Sequence, residues 1–499
     1  MRRKSRFKTA LSATLEREVG MVIIRKSSYN KEKSILYDLK YKNEKDKRED
    51  KEEDKICSQT ETALGANYGL AVDIGTTTVA VSLFSIDEKR QIGNITETNE
   101  QTKLGSDVMM RIMNSLRGMS EHMHDMIVSQ VERMIYTLIN ENGCDGIKIA
   151  KMVVVGNTVM CHFFLNMDVS GMSGSPFKTA YKGSFECISG DIGFKEYKDI
   201  NIYVVSGIAA HVGADAVAVL CETSLYDKDK IQMAVDIGTN AEIILNNRGT
   251  ITACSAAAGP AFEGAGLKCG VRAADGAINK VKLNRANGNI ILDVISTGDN
   301  IEEVAGICGS GIADIIAGLL NLGLLCNDGY MLNQKEAVLK GVNIEIANRI
   351  NTSDDGNYFI ILKSGEAGIR TPGEKDIVIT QRDIRNIQLA KAAIQAGCET
   401  LLDIHGLNIS DVDEIKIAGV FGKSINPKSA IFFGLYPNVD MDKLEFVGNA
   451  AGNGAAGVLL DEDFKKITEK YASKVKHIEL AEQEKLRDKF IYAMELKTW

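Results

Sequence analysis

The chain has 499 residues, of which 44% are hydrophobic and 25% are charged, and this composition is typical of a globular protein. A chain of this length exceeds one compact core, so we expect two or more domains. The formal net charge of −8 argues against a nucleic-acid partner, which would favour a basic face. No apolar run approaches the ~20 residues of a membrane span, so we expect no membrane partner.

Residues 1–67 differ in composition from the rest of the chain. Residues 42–55 contain only Lys, Glu, Asp, Arg and Asn, and such a charge run has no apolar period that could build a core. The sequence therefore predicts that residues 1–67 form a charged, disordered or loosely helical linker.

The first patterned segment runs from residue 68 to residue 84. An apolar strand ends at Asp73, a tight turn follows, and a second strand begins. Glycine lets a backbone approach a phosphate, and threonine hydroxyls and backbone N–H groups donate to its oxygens. Asp73, at the carboxyl end of its strand, suits a Mg²⁺ ion, directly or through water. The predicted phosphate contacts are Gly75, Thr76, Thr77 and Thr78.

Helices and strands alternate after this hairpin. Apolar residues at helical spacing predict a helix over 107–140. Residues 151–155 have the composition of a buried strand. Asn157 and Thr158 follow this strand, and they either cap the next helix or contact a ligand. We expect this first half of the protein to span residues 68–230.

The core of the first hairpin occurs twice in the chain. The sequence Ala-Val-Asp-Ile-Gly-Thr of residues 71–76 recurs at residues 234–239. The recurrence predicts two similar halves, each presenting an Asp-Gly-Thr turn to a shared cleft. Asp236 is then the counterpart of Asp73 at the Mg²⁺ ion. The predicted phosphate contacts of the second turn are Gly238, Thr239 and Asn240. Glu263, in a glycine-rich loop, is a further candidate contact for Mg²⁺ or water.

The second half is expected to span residues 231–499. Residues 270–376 are strand-like and rich in turns, and they predict an inserted α+β subdomain. Its one clear helix begins at Gly309, Ser310 and Gly311, and small residues at a helix N-terminus favour an anion or ribose site. Strands and helices then alternate to the end, which is the pattern of an α/β fold.

The cysteine pattern bears on metal chemistry and compartment. The 10 cysteines are scattered, without a Cys-x-x-Cys pair. This spacing disfavours a zinc ribbon, a dithiol redox motif and a sequence-local iron–sulfur cluster, so no iron–sulfur cluster is expected. Free thiols in a large chain fit a reducing compartment, which predicts a cytoplasmic protein. His122 and His124 are interpreted as surface residues of a helix.

Paired Asp-x-Gly-Thr hairpins resemble the phosphate-binding loops of the actin, sugar kinase and heat-shock chaperone ATPase superfamily. Residues 415–422 resemble its adenosine loop, with glycines at Gly419 and Gly422, and residues 448–460 resemble its late small-residue helix. The resemblance covers residues 68–499. It implies two duplicated ribonuclease H-like halves around a nucleotide cleft, with ATP and Mg²⁺ as ligands.

Three further segments resemble one branch of this superfamily, the reductive activators of corrinoid proteins. They are residues 155–162, residues 257–265 together with 269–273, and residues 306–314. The resemblance implies that ATP hydrolysis is coupled to reduction of cob(II)amide to cob(I)amide on the corrinoid protein of a methyltransferase system. Such activators usually carry a ferredoxin-like domain, whose cysteine cluster is not found in this sequence. We therefore expect an external ferredoxin or flavodoxin as electron donor, or a protein that only remodels its corrinoid partner.

The role of Asp215 stays open at this stage. In sugar kinases of the superfamily a similarly placed aspartate deprotonates the acceptor hydroxyl. In this sequence Asp215 is a candidate base, a residue that orients a hydrolytic water, or a helix cap. A small-molecule kinase is accordingly the alternative function, and a non-enzymatic ATP-dependent interaction module is a third. The oligomeric state also stays open, with a homodimer as one option.

Overall fold

A computed structural model describes residues 20–27, 67–144, 146–298, 300–419, 422 and 424–499 of the chain. The strands of these residues are β1 (Val22–Ser27), β2 (Tyr68–Ile74), β3 (Thr78–Ser85), β4 (Arg90–Thr98), β5 (Ile149–Gly156), β6 (Phe185–Ile188), β7 (Asn201–Val204), β8 (Ile231–Ile237), β9 (Ala241–Asn247), β10 (Thr250–Ala256), β11 (Ala277–Leu283), β12 (Ile290–Ile295), β13 (Gly306–Ile307), β14 (Ile350–Ser353), β15 (Gly356–Leu362), β16 (Ile377–Thr380), β17 (Glu414–Ala418), β18 (Leu444–Gly448) and β19 (Lys476–His477). The α-helices are α1 (Val108–Asn114), α2 (Ser120–Glu141), α3 (Thr158–Phe164), α4 (Ala214–Glu222), α5 (Gly309–Leu322), α6 (Gln334–Leu339), α7 (Ile344–Ala347), α8 (Gln381–Ile404), α9 (Pro427–Phe432), α10 (Ala450–Leu460), α11 (Glu462–Ala472) and α12 (Leu486–Ala493).

The chain divides into two compact units. The first unit contains the described residues of 30–222 and 450–474, and the second contains those of 1–29, 223–449 and 475–499. No helix of the described residues is long and apolar enough to cross a membrane.

Each unit is built on a mixed sheet of the same design. The first unit has the strand order β4-β3-β2-β5-β7-β6, and the second has β18-β17-β8-β9-β10-β19. In both units three strands that are consecutive in sequence pair antiparallel: β2, β3 and β4 in the first, and β8, β9 and β10 in the second. The following strand then returns parallel to the first, as β5 does beside β2 and β17 beside β8. The shared order confirms the predicted α/β fold with two duplicated halves.

Burial explains why the two hairpin strands are nearly continuous apolar runs. Strands β2 and β8 are covered on both faces, and only Asp73 and Asp236 interrupt the buried stretch near their carboxyl ends. A strand covered on both faces needs an apolar residue at every position rather than at alternate positions. The carboxylates are therefore partly exposed positions within otherwise buried strand ends.

The inserted region lies between β10 and β17 in the second unit. It contains strands β11, β12 and β13, the sheet β14-β15-β16, and helix α5 packed on β11. Strand β1, from the N-terminal segment, completes the sheet β1-β12-β11-β13. Strand β1 pairs parallel with β12 over six residues, and Val22 within it is buried. The prediction that residues 1–67 are entirely linker is therefore wrong for residues 20–27, because Val22-Ile-Ile24 supplies apolar side chains to a sheet. The rest of that prediction lies outside the described residues.

The predicted boundary of the second half also needs correction. Residues 450–474 belong to the first unit, although the sequence placed them in a half spanning 231–499. Helix α10 packs closely on α4, and a Cβ atom at Gly454 would lie 2.6 Å from the carbonyl oxygen of Ala218. Small residues permit this close approach.

The long helices largely follow their predictions. The predicted helix over 107–140 comprises α1 and α2, joined by a short π-helical segment, Ser115–Met119. His122 is exposed as expected, whereas His124 is buried and its Nδ1 atom lies 2.9 Å from the carbonyl oxygen of Phe163. The surface interpretation of His124 is therefore wrong, because α2 turns this position towards α3.

Candidate functional site: the two Asp-Gly-Thr hairpins

The carbonyl groups of the turn between β2 and β3 accept hydrogen bonds from other parts of the first unit. The backbone N–H of Gly75 donates to the Thr78 carbonyl at 2.9 Å. The side-chain amide of Asn99 donates to the Gly75 carbonyl at 2.9 Å, and the Asn99 backbone N–H donates to the Thr77 carbonyl at 2.9 Å. The guanidinium of Arg111 donates to the Thr76 carbonyl. Asn99 and Arg111 were not singled out from the sequence, because neither belongs to the hairpin motif.

These contacts determine which way the turn's N–H groups point. In a trans peptide the C=O of one residue and the N–H of the next point in opposite directions. Because the carbonyls of residues 75, 76 and 77 point towards Asn99 and Arg111, the N–H groups of residues 76, 77 and 78 point away from them. Consecutive N–H groups on one side of a turn form an anion-binding concavity. The arrangement fits the phosphate contacts predicted at Gly75, Thr76, Thr77 and Thr78.

The charges of Asp73 and Asp215 both act on the thiol of Cys161. Burial raises the pKa of the Cys161 thiol, and the negative charges of Asp215 and Asp73 raise this pKa further. Asp73 and Asp215 remain partly exposed, so both can meet a ligand. The structure thus brings together two residues separated by most of the first half's sequence.

Two glycines explain how Asp215 reaches this position. A Cβ atom at Gly156 would lie 2.4 Å from the Ile74 carbonyl oxygen, and one at Gly213 would lie 2.3 Å from the Gly156 carbonyl oxygen. The ends of β2 and β5 and the start of α4 therefore touch backbone to backbone, which only glycine permits. This contact places Asp215, on the first turn of α4, beside the end of β2.

The surroundings of Asp215 favour its neutral form. Burial raises the pKa of this carboxyl to about 6, while hydrogen bonds from backbone N–H groups, chiefly that of Ala216, act in the opposite direction. The N–H of Ala216 lies 2.8 Å from a carboxylate oxygen of Asp215. A carboxylate with a pKa close to neutrality is suited to accept a proton during turnover.

Asn157 and Thr158 act as capping and anchoring residues. The Asn157 side-chain oxygen caps α3 by accepting from the Val159 N–H at 3.0 Å. The Thr158 hydroxyl donates to the Ala209 carbonyl at 2.6 Å. The side-chain nitrogen of Asn157 is buried and has no hydrogen-bond partner among the described residues. The cap is confirmed, and a ligand contact by Asn157 stays a prediction.

The second hairpin, between β8 and β9, has its own supports within the second unit. The Gly238 N–H donates to the Asn240 carbonyl at 3.2 Å, and the Gly259 N–H donates to the Thr239 carbonyl at 2.7 Å. The Thr239 hydroxyl donates to the carboxylate of Glu263 at 3.0 Å. Glu263 therefore lies at the hairpin, as the glycine-rich loop suggested.

The predicted adenosine loop packs on this second hairpin. Gly419 has a φ of 90°, and a Cβ atom there would lie 2.6 Å from the Ile237 carbonyl oxygen and 3.1 Å from a carboxylate oxygen of Asp236. Glycine satisfies both the backbone conformation and the close approach. Gly422 is buried, and its carbonyl accepts from the Tyr436 hydroxyl at 3.1 Å. Residues 420, 421 and 423 of the loop lie outside the described part of the chain.

The small residues at the start of α5 have a packing reason. Gly309, Ser310 and Gly311 are all buried. The Ser310 hydroxyl donates to the Asn279 carbonyl at 2.9 Å, and a Cβ atom at Gly311 would lie 2.6 Å from the Ile278 carbonyl oxygen. These contacts with β11 require small side chains whether or not a ligand binds. A ribose or anion contact at this helix end therefore stays a prediction.

A cavity of about 860 Å³ lies in the first unit beside the Asp215 region. Cys161 and Ala214 contribute to its wall, together with His162 and Tyr181, whose rings stack at 4.8 Å between centroids. Lys178 and Lys182 line the same cavity. Its volume is in the range of small-molecule sites.

No group of three or more His, Cys, Asp and Glu side chains that could hold a metal ion occurs within the described ranges. The nine cysteines in those ranges are free thiols, and Cys57 lies outside them. The carboxylates at the two strand ends supply the hard oxygen ligands that Mg²⁺ prefers. The expectation of an iron-free protein stays a prediction for chemical analysis.

Two family descriptions match consecutive parts of the chain. The family described as "RACo middle region" matches residues 68–228, and the one described as "C-terminal domain of RACo the ASKHA domain" matches residues 230–499. The chain belongs to the RACo family. The matched ranges begin and end within two residues of the two predicted halves, although residues 450–474 pack with the first unit.

Three relatives illustrate this RACo-family membership. The "Corrinoid activation enzyme RamQ" of Eubacterium limosum is 34% identical over 431 residues, which cover 85% of this chain and 69% of the relative. The "[Co(II) methylated amine-specific corrinoid protein] reductase" of Methanosarcina barkeri is 23% identical over 453 residues, covering 87% of this chain and 77% of the relative. A solved structure titled "Reductive activator for corrinoid,iron-sulfur protein" matches with a TM-score of 0.77 and 33% identity, covering 87% of this chain and 67% of that one. The resemblance to reductive activators of corrinoid proteins is therefore confirmed.

Proposed function

We propose that this RACo-family protein is an ATP-dependent reductive activator of the corrinoid protein of a methyltransferase system. ATP hydrolysis favours reduction of cob(II)amide to cob(I)amide, and an external ferredoxin or flavodoxin delivers the electron. The observation that carries the proposal is the first hairpin: Asn99 and Arg111 hold its carbonyls, which leaves its N–H groups facing away from them. The start of α4, with Asp215, packs at the same end of β2 as Asp73. The names of two relatives, a corrinoid activation enzyme and a corrinoid protein reductase, support the choice of partner.

The side chains of the two hairpins have distinct roles in this proposal. Asp73 and Asp236 hold the Mg²⁺ ion of the nucleotide, directly or through water. The hairpin N–H and hydroxyl groups stabilise the charge of the phosphates. Asp215 orients the attacking water and takes its proton as the water oxygen bonds to the γ-phosphorus and ADP leaves. With a pKa of about 6, Asp215 is mostly ionised at neutral pH and can accept that proton.

Hydrolysis cannot itself supply the electron. ATP acts by favouring one state of the complex with the corrinoid protein over another, which requires that the two states bind nucleotide differently. A change in the ligation or exposure of the corrinoid would then shift its reduction potential. The reductant remains a separate protein, because the spacing of the cysteines indicates no cluster.

The test combines ATP turnover with corrinoid spectroscopy. The purified chain, a corrinoid protein and ATP together are expected to leave cob(II)amide unreduced, and a low-potential reductant or ferredoxin should permit reduction only with hydrolysable ATP. Asp73→Ala and Asp236→Ala should each lower turnover on the order of 10²-fold or more, since each removes an electrostatic organiser of phosphoryl transfer. Parental turnover in either variant would refute the hairpin assignment, and full reduction without ATP would refute the coupling.

A small-molecule kinase is the second candidate, and the cavity beside Asp215 favours it. A kinase needs an acceptor pocket next to a base, and this cavity has the volume for one. Sugars and carboxylates, assayed as acceptors with ATP, distinguish the two functions. Stoichiometric transfer of phosphate to one acceptor without a corrinoid protein would favour the kinase. ATP binding without turnover under either condition would instead favour a non-enzymatic interaction module.

A further inference from the structure

We propose that Arg111 is a positioning residue for the nucleotide, whose buried positive charge lies directly behind the first phosphate hairpin and is balanced by the phosphates bound on the other side. The inference rests on the proposed ATP site. It concerns a residue outside both hairpin motifs, 35 positions along the chain from Thr76.

The contacts of Arg111 are all with neutral groups. Its Nε atom donates to the Gly105 carbonyl at 3.0 Å, and its Nη1 atom lies 3.2 Å from the side-chain oxygen of Gln101 and 2.9 Å from the Met160 sulfur. Its Nη2 atom donates to the Thr76 carbonyl. The side chain is fully buried.

No carboxylate among the described residues lies within ion-pair distance of this guanidinium. Asp107, the N-cap of α1, acts on Arg111 only through its charge at longer range. Burial lowers the pKa of Arg111 to about 10, which still leaves it protonated at neutral pH. An unpaired buried charge is strongly unfavourable. Phosphates bound on the other side of the hairpin would balance the charge of Arg111, which explains why the protein keeps it unpaired.

The peptide between residues 76 and 77 links the guanidinium to the proposed phosphate position. Arg111 polarises the C=O of Thr76, and the N–H of Thr77 lies on the opposite side of the same trans peptide. A hydrogen bond at one end of a peptide strengthens the donor at the other end. Arg111 therefore both fixes the plane of this peptide and adds positive potential on its N–H side.

A structural role alone makes a different prediction from this electrostatic role. If Arg111 only holds the hairpin, every replacement lowers stability and weakens ATP to a similar extent, whether or not the new side chain is charged. If its charge acts on phosphates, replacement weakens ATP while leaving adenosine, which carries no phosphate, nearly unchanged. Arg111→Met removes the charge, Arg111→Gln keeps a polar donor without the charge, and Arg111→Lys keeps the charge without the planar fork.

Arg349 offers a matched control in the second unit. It is also buried, and it donates to the Ile360 carbonyl at 3.3 Å, but it is paired with the carboxylate of Glu366. Arg349→Met should lower the melting temperature, because it breaks a buried ion pair. It should leave the affinities for ATP and adenosine unchanged, since its charge is already balanced within the protein.

The experiment measures dissociation constants of ATP and adenosine by calorimetry, and the melting temperature without ligand, for the full chain and these variants. We expect Arg111→Met and Arg111→Gln to weaken ATP by about tenfold or more and adenosine by less than about twofold, with Arg111→Lys closer to the parent. Equal weakening of both ligands, or equal ATP affinity of the Lys and Gln variants, would overturn the inference. The Lys and Gln comparison suffices if the Met variant does not fold. Absence of ATP binding by the parent protein would instead refute the proposed function.

Discussion

Replacement of Asp215 by asparagine tests the electrostatics at the start of α4. Burial raises the pKa of Asp215 from 3.8 to about 6, a difference of about 2.2 units, or about 3 kcal/mol at about 1.4 kcal/mol per unit. Because the folded-state pKa is raised, the associated stability is fully present below the unfolded-state pKa and is lost as pH rises through about 6. At pH 8 the ionised carboxylate therefore lowers the free energy of unfolding by about 3 kcal/mol relative to acid.

Only part of this effect falls within a convenient pH range. Between pH 5 and pH 8 the linkage relation gives a change of about 1.4 kcal/mol. For a unit of about 200 residues this corresponds to roughly 3–6 °C in melting temperature. The melting temperature of Asp215→Asn minus that of the parent should therefore rise by this amount from pH 5 to pH 8. Asparagine has nearly the shape of aspartate, so the comparison isolates the charge.

Differential scanning calorimetry of the full chain at several pH values provides the measurement. Asp125→Asn, at an exposed position of α2, is the matched control and should show no such trend. A difference between Asp215→Asn and the parent that does not vary with pH would refute the buried-carboxylate reasoning. ATP turnover gives a second readout: parental turnover should fall as pH drops through about 6, and Asp215→Asn should lack this limb along with most of its activity.

Three further outcomes are expected. Gly213→Ala should destabilise the protein by about 1–3 kcal/mol and reduce ATP turnover, because its Cβ atom would lie 2.3 Å from the Gly156 carbonyl oxygen; Gly174→Ala, with no atom within 4 Å, is the control for thermal melts and turnover. Deletion of residues 1–27 should lower the melting temperature relative to deletion of residues 1–19, since β1 pairs with β12; equal melting temperatures would show that β1 adds no stability. Protein purified without oxygen should be colourless and contain no stoichiometric iron, and iron at one or more equivalents by metal analysis would contradict the need for an external donor.

The sequence by itself determined the elements whose signals are local. The repeated Ala-Val-Asp-Ile-Gly-Thr predicted the two hairpins, and the structure has them as β2–β3 and β8–β9. Helix α8, Gln381–Ile404, begins at a local capping signal, because Thr380 accepts from the Asp383 N–H. Strand periodicity, turn chemistry and helix capping depend on residues a few positions apart. A single sequence therefore contains enough information to predict them.

Only the tertiary structure decided which distant residues meet. Val22-Ile-Ile24 is too short an apolar run to predict a strand from the sequence. It forms a strand because it pairs in parallel with the edge of β12. Gly454 of α10 packs against Ala218 of α4, and residues 450–474 belong to the first unit. Arg111 has no motif at all, and its importance follows from its contact with the Thr76 carbonyl. The pKa of Asp215 likewise depends on burial by surrounding segments. Burial and electrostatic environment are properties of the packed chain, so no local pattern of residues specifies them.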